Sequence, residues 1–559
     1  MPAFPGPAAA DTSGARLPVV GLFPGVGPQL PRMFDLAILG SGFAGSLLAL
    51  VARRLGRTVL LLERGRHPRF AIGESSSPLA NLLLEEIARR WDLPRLVPLT
   101  TYGAWKRTYP RLAVGLKRGF SFYAHTPNDV RSPVHDRTRQ LLVAASPSDA
   151  LADTHWYRPD FDAFLVDEAA AAGAEFVDRT RIERAEFGPA GVSLAGTREG
   201  CSVRYQARWL FDATGPRGAL SRLLGLVEAP FPDFPHTEAL YTHFAHAPRF
   251  EAGGVQSENP HCSLLTSSSP PPYPPDDAAV HHLFPGGWVW VLRFENGLTS
   301  AGVVLERSQA RELRLEEGEG AWRRVLHRFH ALHPFLECAE PTLPFVHQPC
   351  VPYRTAVAAG EGWTLLPGAA AVVDPLFSTG FPLSLLGIQR YGTALEEDWG
   401  TARWATRLAH ISHSTLAEAD HTATLVGACY KTFAAGGRRN SGIPGFPTFT
   451  SLSMLYFVAA SYSEMARRLG HPARAEGFLL RETPAFRNAF TSLTARAHTG
   501  YPATPAETAA LLAPFNVAGL CDATKGNWYS VALEDVVRNA DKLGVSAEAV
   551  RAYFTKLLG

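Results

Sequence analysis

The sequence predicts a mixed fold of the α/β class, with α+β character: a Rossmann-like nucleotide-binding domain, an inserted antiparallel sheet and a helical C-terminal region. Three observations lead to this prediction. A short apolar segment runs into a glycine-rich turn near the N-terminus, strand-like and helix-like segments alternate up to about residue 395, and helical spacing of apolar residues dominates thereafter. A glycine-rich turn followed by alternating strands and helices is typical of domains that bind nucleotides on a parallel sheet.

The glycine-rich turn lies in FDLAILGSGFAGSLLAL, residues 34–50. Gly40 permits the tight turn, Gly42 lets the backbone approach a pyrophosphate at the helix N-terminus, and Gly45 lets helix and strand pack closely. A second apolar run ends at Glu63, a carboxylate placed to accept hydrogen bonds from a ribose 2′-hydroxyl. A glycine triplet alone also occurs in ordinary turns, but here strand, triplet, helix, strand and acid occur in order. We therefore expect an adenine dinucleotide, with contacts at Gly40, Gly42, Phe43, Ala44, Gly45, Glu63 and Arg64.

Composition and charge exclude several functional classes. The chain has 559 residues, of which 46% are hydrophobic and 10% aromatic, and this indicates a large globular protein. Its formal net charge of +2 gives no reason to expect nucleic acid as a partner. No uninterrupted apolar run reaches the about 18 residues that a membrane-spanning helix needs. Six widely separated cysteines favour reduced thiols and a cytoplasmic protein over a disulfide framework or a zinc site.

Shifts in composition and in apolar spacing divide the chain into four regions. These regions are a flexible N-terminal arm rich in Pro, Gly and Ala (1–32), a discontinuous nucleotide-binding domain (33–215 and 350–395), an antiparallel sheet on the substrate side (216–349) and a helical C-terminal region (396–559). The run SSSPPPYPPDD, residues 267–277, predicts a surface loop between two strands of the inserted sheet.

Segments after the first turn favour FAD over NAD. WLFDATG, residues 209–215, is a short apolar strand whose small final residues let it lie close to a bound dinucleotide. A strand, a Gly-Ala turn and a helix follow at residues 363–388, so the expected contacts extend over most of the first 390 residues. Such a spread does not suit a compact NAD domain and suits an extended FAD. The contacts expected in these segments are Arg158, Ala213, Thr214, Gly215, Gly368, Asp374, Pro375 and Gly380.

Four further motifs carry a resemblance to a known family. They are IGESSSP (72–78), GAWK (103–106), GGWVWVLRF (286–294) and DPLFSTG (374–380). The Trp-x-Trp and Asp-Pro-x-x-Ser-Thr-Gly patterns are the most specific of these. Over roughly residues 34–395 the chain resembles the flavin-dependent halogenases, a branch of the FAD monooxygenases.

The resemblance implies the chemistry and the partners. The enzyme would use reduced FAD, oxygen and chloride or bromide to form hypohalous acid and halogenate an electron-rich aromatic ring. A separate flavin reductase would supply reduced FAD, since no second dinucleotide turn follows the first. The implied substrate is a small phenol or pyrrole, free or bound to a carrier protein. The flavin-side contacts implied by the IGESSSP motif are Ile72, Gly73, Glu74 and Ser75.

The chain departs from the family pattern at three places. Gly368-Ala369-Ala370 stands where members usually carry Gly-Asp-Ala, and weaker retention of FAD is expected because that Asp normally contacts the ribityl chain. The Trp motif continues as Leu292-Arg293 instead of Ile-Pro. Phe377 stands where tryptophan halogenases have a glutamate, which favours a substrate that needs no carboxylate beside it.

The halide is assigned to the turn Ser378-Thr379-Gly380. A halide needs unpaired backbone N–H groups, and a turn that enters a helix N-terminus supplies them. The alternative is that these residues only cap the helix and contact the flavin, because a cap uses the same physics.

Lys106 is the first candidate for the catalytic lysine, since it follows Gly-Ala-Trp in the place that the family's lysine occupies relative to Ile-Gly-Glu. A lysine can donate a hydrogen bond to hypohalous acid or form a chloramine, and burial that lowers its pKa improves either role. A solvent-facing lysine is the plain alternative, and Lys117 is then the second candidate.

Trp288 and Trp290 are two residues apart on a predicted strand, so both side chains point to one face. The resemblance implies that they keep substrate away from the flavin, and the alternative is that they are ordinary core tryptophans. A cluster of His327, His330 and His333 at helical spacing lacks further ligands nearby, so no metal site is expected.

Two other functions stay open on the sequence. A monooxygenase or oxidoreductase of the same fold would keep the tryptophan pair and the turn but use no halide. A flavin-binding protein without catalysis is disfavoured because the motifs that form the pocket are present.

Overall fold

Two large sheets and a set of long C-terminal helices make up the chain in this computed structural model, which describes residues 32–125, 136–249, 270–333, 338–434 and 445–558. The predicted arm, apart from Arg32, lies outside the described residues, as do Cys262 and the start of the loop at 267–277. The mixed α/β fold with a parallel sheet, an antiparallel sheet and a helical C-terminal region is confirmed.

The strands that the structure describes are, in chain order, β1 (Met33–Leu39), β2 (Val59–Leu62), β3 (Val114–Lys117), β4 (Gly119–Ala124), β5 (Gln140–Ala144), β6 (Asp153–Trp156), β7 (Glu175–Val177), β8 (Thr180–Gly188), β9 (Gly191–Arg198), β10 (Cys201–Asp212), β11 (Thr237–Ala245), β12 (Ala279–Phe284), β13 (Gly287–Arg293), β14 (Leu298–Glu306), β15 (Glu340–Pro341), β16 (Val346–Gln348), β17 (Tyr353–Arg354), β18 (Ala359–Gly360), β19 (Trp363–Leu365), β20 (Ala371–Val372) and β21 (Trp528–Tyr529).

The α-helices of the described residues are α1 (Phe43–Arg54), α2 (Pro78–Arg90), α3 (Tyr102–Thr108), α4 (Arg158–Ala171), α5 (Ala219–Leu223), α6 (Arg307–Glu312), α7 (Glu319–Arg328), α8 (Pro367–Ala370), α9 (Gly380–Glu397), α10 (Trp404–Ala434), α11 (Phe446–Arg468), α12 (Pro484–His498), α13 (Pro505–Leu512), α14 (Leu533–Arg538) and α15 (Ala547–Leu558). None of these helices is long and apolar enough to cross a membrane.

The first sheet forms around β1. It is parallel through β19, β10, β1, β2 and β7, while β9 and β18 add antiparallel strands. Strands that are buried on both faces have continuous runs of apolar residues in their sequence, and here these runs are LAIL in β1 and VLLL in β2. Parallel pairing brings the carboxyl ends at Leu39, Leu62 and Asp212 to one edge. That edge is where open α/β sheets bind their ligands.

The second sheet has the strand order β15-β11-β14-β13-β12-β4-β5-β21, with β16 also paired to β11. Most of its pairs are antiparallel, and β12–β4 and β5–β21 are parallel. Its strands are not confined to residues 216–349, because β4 and β5 join from upstream and β21 from the C-terminal region. Local alternation of apolar residues predicts strands but not which distant strand lies beside them.

The C-terminal helices are attached to the nucleotide-binding sheet by α9. This helix packs on α1 and α2 on one side and on α10 on another, and α10 in turn packs on α11 and α12. Arg390 of α9 donates to both carboxylate oxygens of Glu418 on α10 at 2.7 and 2.6 Å. Glu418 is 2% exposed and also accepts from the backbone N–H of Phe478. This buried bidentate pair ties three segments together.

Arg390→Met should lower the thermal midpoint of unfolding measured by differential scanning calorimetry. It leaves the Glu418 carboxylate buried without its cation, and breaking such a pair costs about 3–5 kcal/mol. Arg407→Met is the matched control, because Arg407 pairs with Glu397 and Asp398 from a position 40% exposed and such pairs contribute about 0–1 kcal/mol. Equal midpoints for the two variants would contradict the stabilising role of the Arg390–Glu418 pair.

Candidate active site

The glycine-rich turn has the geometry that its sequence predicts. Gly40 has φ +91°, and a Cβ there would lie 2.8 Å from the carbonyl oxygen of Ala213. A Cβ on Gly45 would lie 2.0 Å from the carbonyl oxygen of Gly40. Neither position tolerates a side chain, since the helix and both strand ends are in direct contact there. Gly42 is the N-cap of α1, while Phe43 lines a cavity and Ala44 is half-buried.

Glu63 is held rigidly at the end of β2. Its Oε2 accepts from the backbone N–H and the hydroxyl of Ser41, and its Oε1 accepts from Gly65 N–H at 2.8 Å. Burial alone would raise the pKa of Glu63, but the Arg69 guanidinium and these N–H groups outweigh it and hold the pKa below its usual value. The carboxylate is therefore ionised beside the turn, whereas Arg64 is exposed to solvent.

A space lined by charged groups adjoins Gly42. A Cβ on Gly42 would lie 3.5 Å from guanidinium nitrogens of both Arg158 and Arg69 and 3.6 Å from Asp162 Oδ2. Arg158 is fixed by a bidentate pair with Asp162 and by donation to the carbonyls of Ile72 and Gly73. Two guanidinium groups and a helix N-terminus facing one glycine fit a pyrophosphate.

The end of β10 completes this edge. Asp212 is fully buried and accepts from the N–H and hydroxyl of Thr214 and from Leu220 N–H. These bonds shape the Ala213-Thr214-Gly215 turn, in which Gly215 has φ +84°. Ala213 lies against Gly40, as the small residues at this strand end predict.

A cavity of about 310 Å³ opens from this edge between the two sheets. Aromatic and small side chains form most of its wall. The predicted residues on its wall are Phe43, Ile72, Gly73, Glu74, Ser75, Arg158, Trp288, Trp290, Gly368, Asp374, Pro375, Ser378, Thr379 and Gly380. Most of the predicted site therefore lies around one space, although its pieces come from distant parts of the chain.

The IGESSSP segment organises one side of the cavity. Glu74 is buried, and its Oε1 lies 2.8 Å from Nε2 of His243. Ser75 accepts a hydrogen bond from Lys117, Ser76 donates to the Thr154 carbonyl, and Ser77 caps α2. Each polar residue of the segment thus has a separate positioning contact.

The turn before α9 has unusual backbone conformation. Phe377 and Ser378 have φ +65° and +56°, and Thr379, the N-cap of α9, returns to φ −72°. A left-handed residue followed by a right-handed one points successive N–H groups into a concave site that suits an anion. Thr379 makes no side-chain capping bond, and a Cβ on Gly380 would meet no heavy atom within 4 Å. The turn therefore faces the cavity with its backbone.

Trp288 and Trp290 lie side by side on β13, with ring centroids 6.0 Å apart. Trp288 Nε1 donates to the Tyr430 hydroxyl, which donates to Asp374 Oδ2 at 2.9 Å. Burial raises the pKa of Asp374 to about 7. Both tryptophans are buried in the core, and both also form part of the cavity wall. A place in the core and a place at the site therefore do not exclude each other for these two residues.

The two candidate lysines occupy different environments. Lys106 on α3 is 39% exposed at its side chain and forms an ion pair with Glu295, and neither Lys106 nor Lys117 is part of the cavity wall. Its neighbour Trp105 takes the buried position of that helix. Lys117 is 0% exposed, and its Nζ donates to Ser75 Oγ at 2.9 Å and to the Ser76 carbonyl. Burial lowers the pKa of Lys117.

The structure also shows the surroundings of the residues at which the chain departs from the family's sequence pattern. Ala369 is buried in the same apolar cluster as Leu210 and Leu365. Phe377 is buried and stacks on Tyr456 of α11 with ring centroids 5.1 Å apart. Arg293, which replaces a proline, donates to the carbonyls of Ala247 and Pro248.

Sequence reasoning missed several residues of the site. Tyr241, His281 and Glu418 line the cavity, and Arg69 faces the Gly42 space. None of these residues lies in a recognisable sequence motif. Only the tertiary structure brings them to the cavity, so the sequence alone could not identify them. Among the described residues no group of His, Cys, Asp or Glu is placed to hold a metal ion, and the five described cysteines are free thiols.

Comparisons with known proteins agree with this geometry. The chain matches no protein-family profile. It is 30% identical over 386 residues to tetracycline 7-halogenase of Kitasatospora aureofaciens, an alignment that covers 67% of this chain and 66% of that protein. It is 27% identical over 412 residues to monodechloroaminopyrrolnitrin halogenase PrnC of Pseudomonas fluorescens, covering 72% of this chain and 68% of that protein. The chain thus spans about two thirds of the length of these relatives.

The fold is also that of a solved halogenase. The structure of halogenase PltM in complex with phloroglucinol and FAD superposes with a TM-score of 0.74 at 24% identity, covering 88% of this chain and 99% of that one. The glycine-rich turn, the tryptophan pair and the turn before α9 thus occur in a chain whose sequence is similar to those of known halogenases and whose fold is similar to that of a solved halogenase structure. The chain belongs to the flavin-dependent halogenase family.

Proposed function

We propose that this protein is an FAD-dependent halogenase that acts on an electron-rich aromatic ring. The observation that carries the proposal is the buried amine of Lys117, which donates a hydrogen bond to Ser75. Ser75 lies on the wall of the cavity, and the turn Ser378-Thr379-Gly380, called the halide turn below, lines the same cavity. A solvent-facing amine would be protonated at neutral pH, whereas burial favours the free amine. The free amine has the lone pair that can accept halogen.

The residues at the edge of the first sheet fit FAD. Arg158 and Arg69 would hold the pyrophosphate beside Gly42, and Glu63 would accept from a ribose hydroxyl. When bound in its reduced form, FAD would supply two electrons to oxygen, and the peroxide-level oxygen so formed would take two electrons from the halide. A separate flavin reductase would supply the reduced FAD.

The remaining groups direct the oxidised halogen. The backbone N–H groups at Thr379 and Gly380 would bind chloride or bromide at the N-terminus of α9. Trp288 and Trp290 would exclude substrate from the flavin side of the cavity. Lys117 would receive the halogen and pass it to the ring, a role that the structure favours for Lys117 over Lys106.

The cavity wall and the names of the relatives support a proposal for the substrate class. Aromatic side chains at Tyr241, His281, Trp288 and Trp290 line the wall, and Phe377 replaces a glutamate. Related proteins are named for tetracycline, aminopyrrolnitrin and a pyrrole-2-carbonyl group on a peptidyl-carrier protein. We infer a phenol or pyrrole substrate, free or carrier-bound.

Incubation of the protein with reduced FAD, oxygen, bromide and a panel of phenols and pyrroles tests the function directly. We expect a bromine isotope pattern in at least one product by mass spectrometry. A hydroxylated product that forms equally well without bromide would instead support the monooxygenase alternative.

Gly42→Val should abolish FAD binding, measured by fluorescence titration. The valine methyl groups would fill the space that Arg158 and Arg69 face, while the extended backbone at this position, φ −67°, accommodates a branched residue. Gly188→Val is the control, since a Cβ at Gly188 meets no atom within 4 Å. Wild-type affinity in Gly42→Val would mean that the pyrophosphate lies elsewhere.

Thr379→Pro should raise the bromide concentration needed for half-maximal rate at least about tenfold, because it removes one backbone N–H from the halide turn. Thr379→Ser retains that N–H and should resemble wild type. FAD affinity measured in parallel separates the alternatives: an equal loss of FAD binding would support the plain capping role of this turn.

Lys117→Ala should eliminate halogenated product while hypohalous acid escapes and is detected with a scavenging dye. FAD binding and oxygen consumption should persist, since they do not involve the amine. Lys106→Ala is the matched control and should halogenate at nearly the wild-type rate, because Lys106 pairs with Glu295 away from the cavity. The reverse result, with Lys106 essential and Lys117 dispensable, would restore the first candidate.

A further inference from the structure

Lys117 has a carboxyl group directly opposite it. In the two-stranded sheet of β3 and β6, Lys117 pairs with Asp153 across an antiparallel register. Directly opposite residues of such a pair point to the same face, with Cβ atoms about 5 Å apart. Lys117 is 0% and Asp153 is 5% exposed, so neither charge is screened by solvent. An amine and a carboxyl buried side by side interact far more strongly than a surface pair.

Asp153 itself is held in place but poorly solvated. Its Oδ1 accepts from Asn81 Nδ2 of α2 at 2.9 Å, and its Oδ2 has no hydrogen-bond partner among the described residues. One neutral hydrogen bond does not compensate a buried carboxylate. Burial accordingly raises the pKa of Asp153, although the Lys117 ammonium opposes the rise.

The other titratable groups around the pair do not replace Asp153. His155 on β6 and His281 on β12 are fully buried, and burial lowers the pKa of both, that of His281 to about 3, so both are neutral. Glu464 of α11 acts on Asp153 but is paired with Arg468 at 2.8 Å. Tyr456, also on α11, stays protonated because burial raises its pKa.

We propose that Asp153 is a positioning residue whose carboxylate, directly across the strand pair from Lys117, stabilises the ammonium form and so sets the pH at which the Lys117 amine loses its proton. The inference rests on the proposed function for its catalytic meaning. The Lys117 lone pair displaces hydroxide from hypohalous acid, an N–halogen bond forms, the O–halogen bond breaks, and one amine proton joins the hydroxide as water. The aromatic ring then takes the halogen, and the ring proton passes to the nitrogen.

The experiment is an NMR titration of protein labelled with ¹³C at lysine Cε. The chain has six lysines, so few signals appear, and Lys117→Met assigns that of Lys117. In wild type we expect Lys117 to titrate at least about two pH units below the ordinary pKa of a lysine in water, about 10.4. In Asp153→Asn the Lys117 midpoint should move down by at least about one further pH unit, because a nearby carboxylate raises an amine pKa by this order. An unchanged midpoint in Asp153→Asn would overturn the proposal.

Two further variants keep the result interpretable. Asp149→Asn makes the same chemical change at an exposed aspartate that pairs with Arg118, and it should leave the Lys117 midpoint unchanged. Asn81→Leu removes the hydrogen bond to Asp153, disfavours the carboxylate and should lower the Lys117 midpoint in the same direction. If Asp153→Asn does not fold, an unchanged midpoint in folded Asn81→Leu overturns the proposal.

The pH profile of halogenation is the second measurement. The rising limb should move to lower pH in Asp153→Asn by the same amount as the NMR midpoint, while oxygen consumption keeps its wild-type profile. If the rising limb of the halogenation profile stays in place in Asp153→Asn while the NMR midpoint of Lys117 moves, the positioning role of Asp153 is overturned. Wild-type protein that shows the expected midpoints but halogenates no aromatic would contradict the proposed function and support the pairing of Lys117 with Asp153.

Discussion

The burial of one amine constrains much of this structure. An ammonium group removed from water must find hydrogen bonds and an opposite charge, or give up its proton. Lys117 finds two acceptors in the IGESSSP segment, the face of Phe120 at 3.8 Å, and Asp153 across the strand pair. These contacts belong to different layers of the fold. The lysine thus connects the IGESSSP segment with the β3–β6 strand pair and with β4 of the second sheet.

The C-terminal helices are part of the site. Tyr430 of α10 bridges Trp288 and Asp374 by two hydrogen bonds, so the tryptophan pair and the turn before α9 are supported by the same helix. Phe449, Tyr456 and Phe457 of α11 pack around Phe377. Thr415, Glu418 and Ala419 of α10 line the cavity themselves, so a region that the sequence identifies only by its helical spacing both forms and supports part of the wall.

Local sequence patterns predicted the strands β1 and β2, the glycine-rich turn and the helix α1. Gly40, Gly45 and Glu63 owe their positions to backbone contacts within a strand, a turn and a helix, and such contacts leave a pattern that can be read along the chain. The parallel and antiparallel sheets and the helical region were predicted for the same reason. The pairing of β12 with β4 was not, because register between distant strands depends on tertiary packing.

The choice between the two candidate lysines shows more clearly what the sequence alone cannot predict. Lys106 and Lys117 both follow apolar residues in a segment rich in basic residues. Burial separates them, and burial of Lys117 depends on Asp153, Ser75 and Phe120. Of these only Phe120 is close in sequence. The contacts from Ser75 and Asp153, which set the electrostatics, could not be derived from spacing along the chain.

Phe377 links the strained turn to the helical region. Two consecutive non-glycine residues in the left-handed region, Phe377 and Ser378, cost about 1–3 kcal/mol each. Full burial of a phenylalanine contributes about 1.5–3 kcal/mol, and stacking on Tyr456 adds to it. The aromatic packing of Phe377 is thus of the right size to stabilise the turn whose backbone faces the cavity. A carboxylate at this position would lose that packing, so the strained turn before α9 depends on an aromatic residue at position 377.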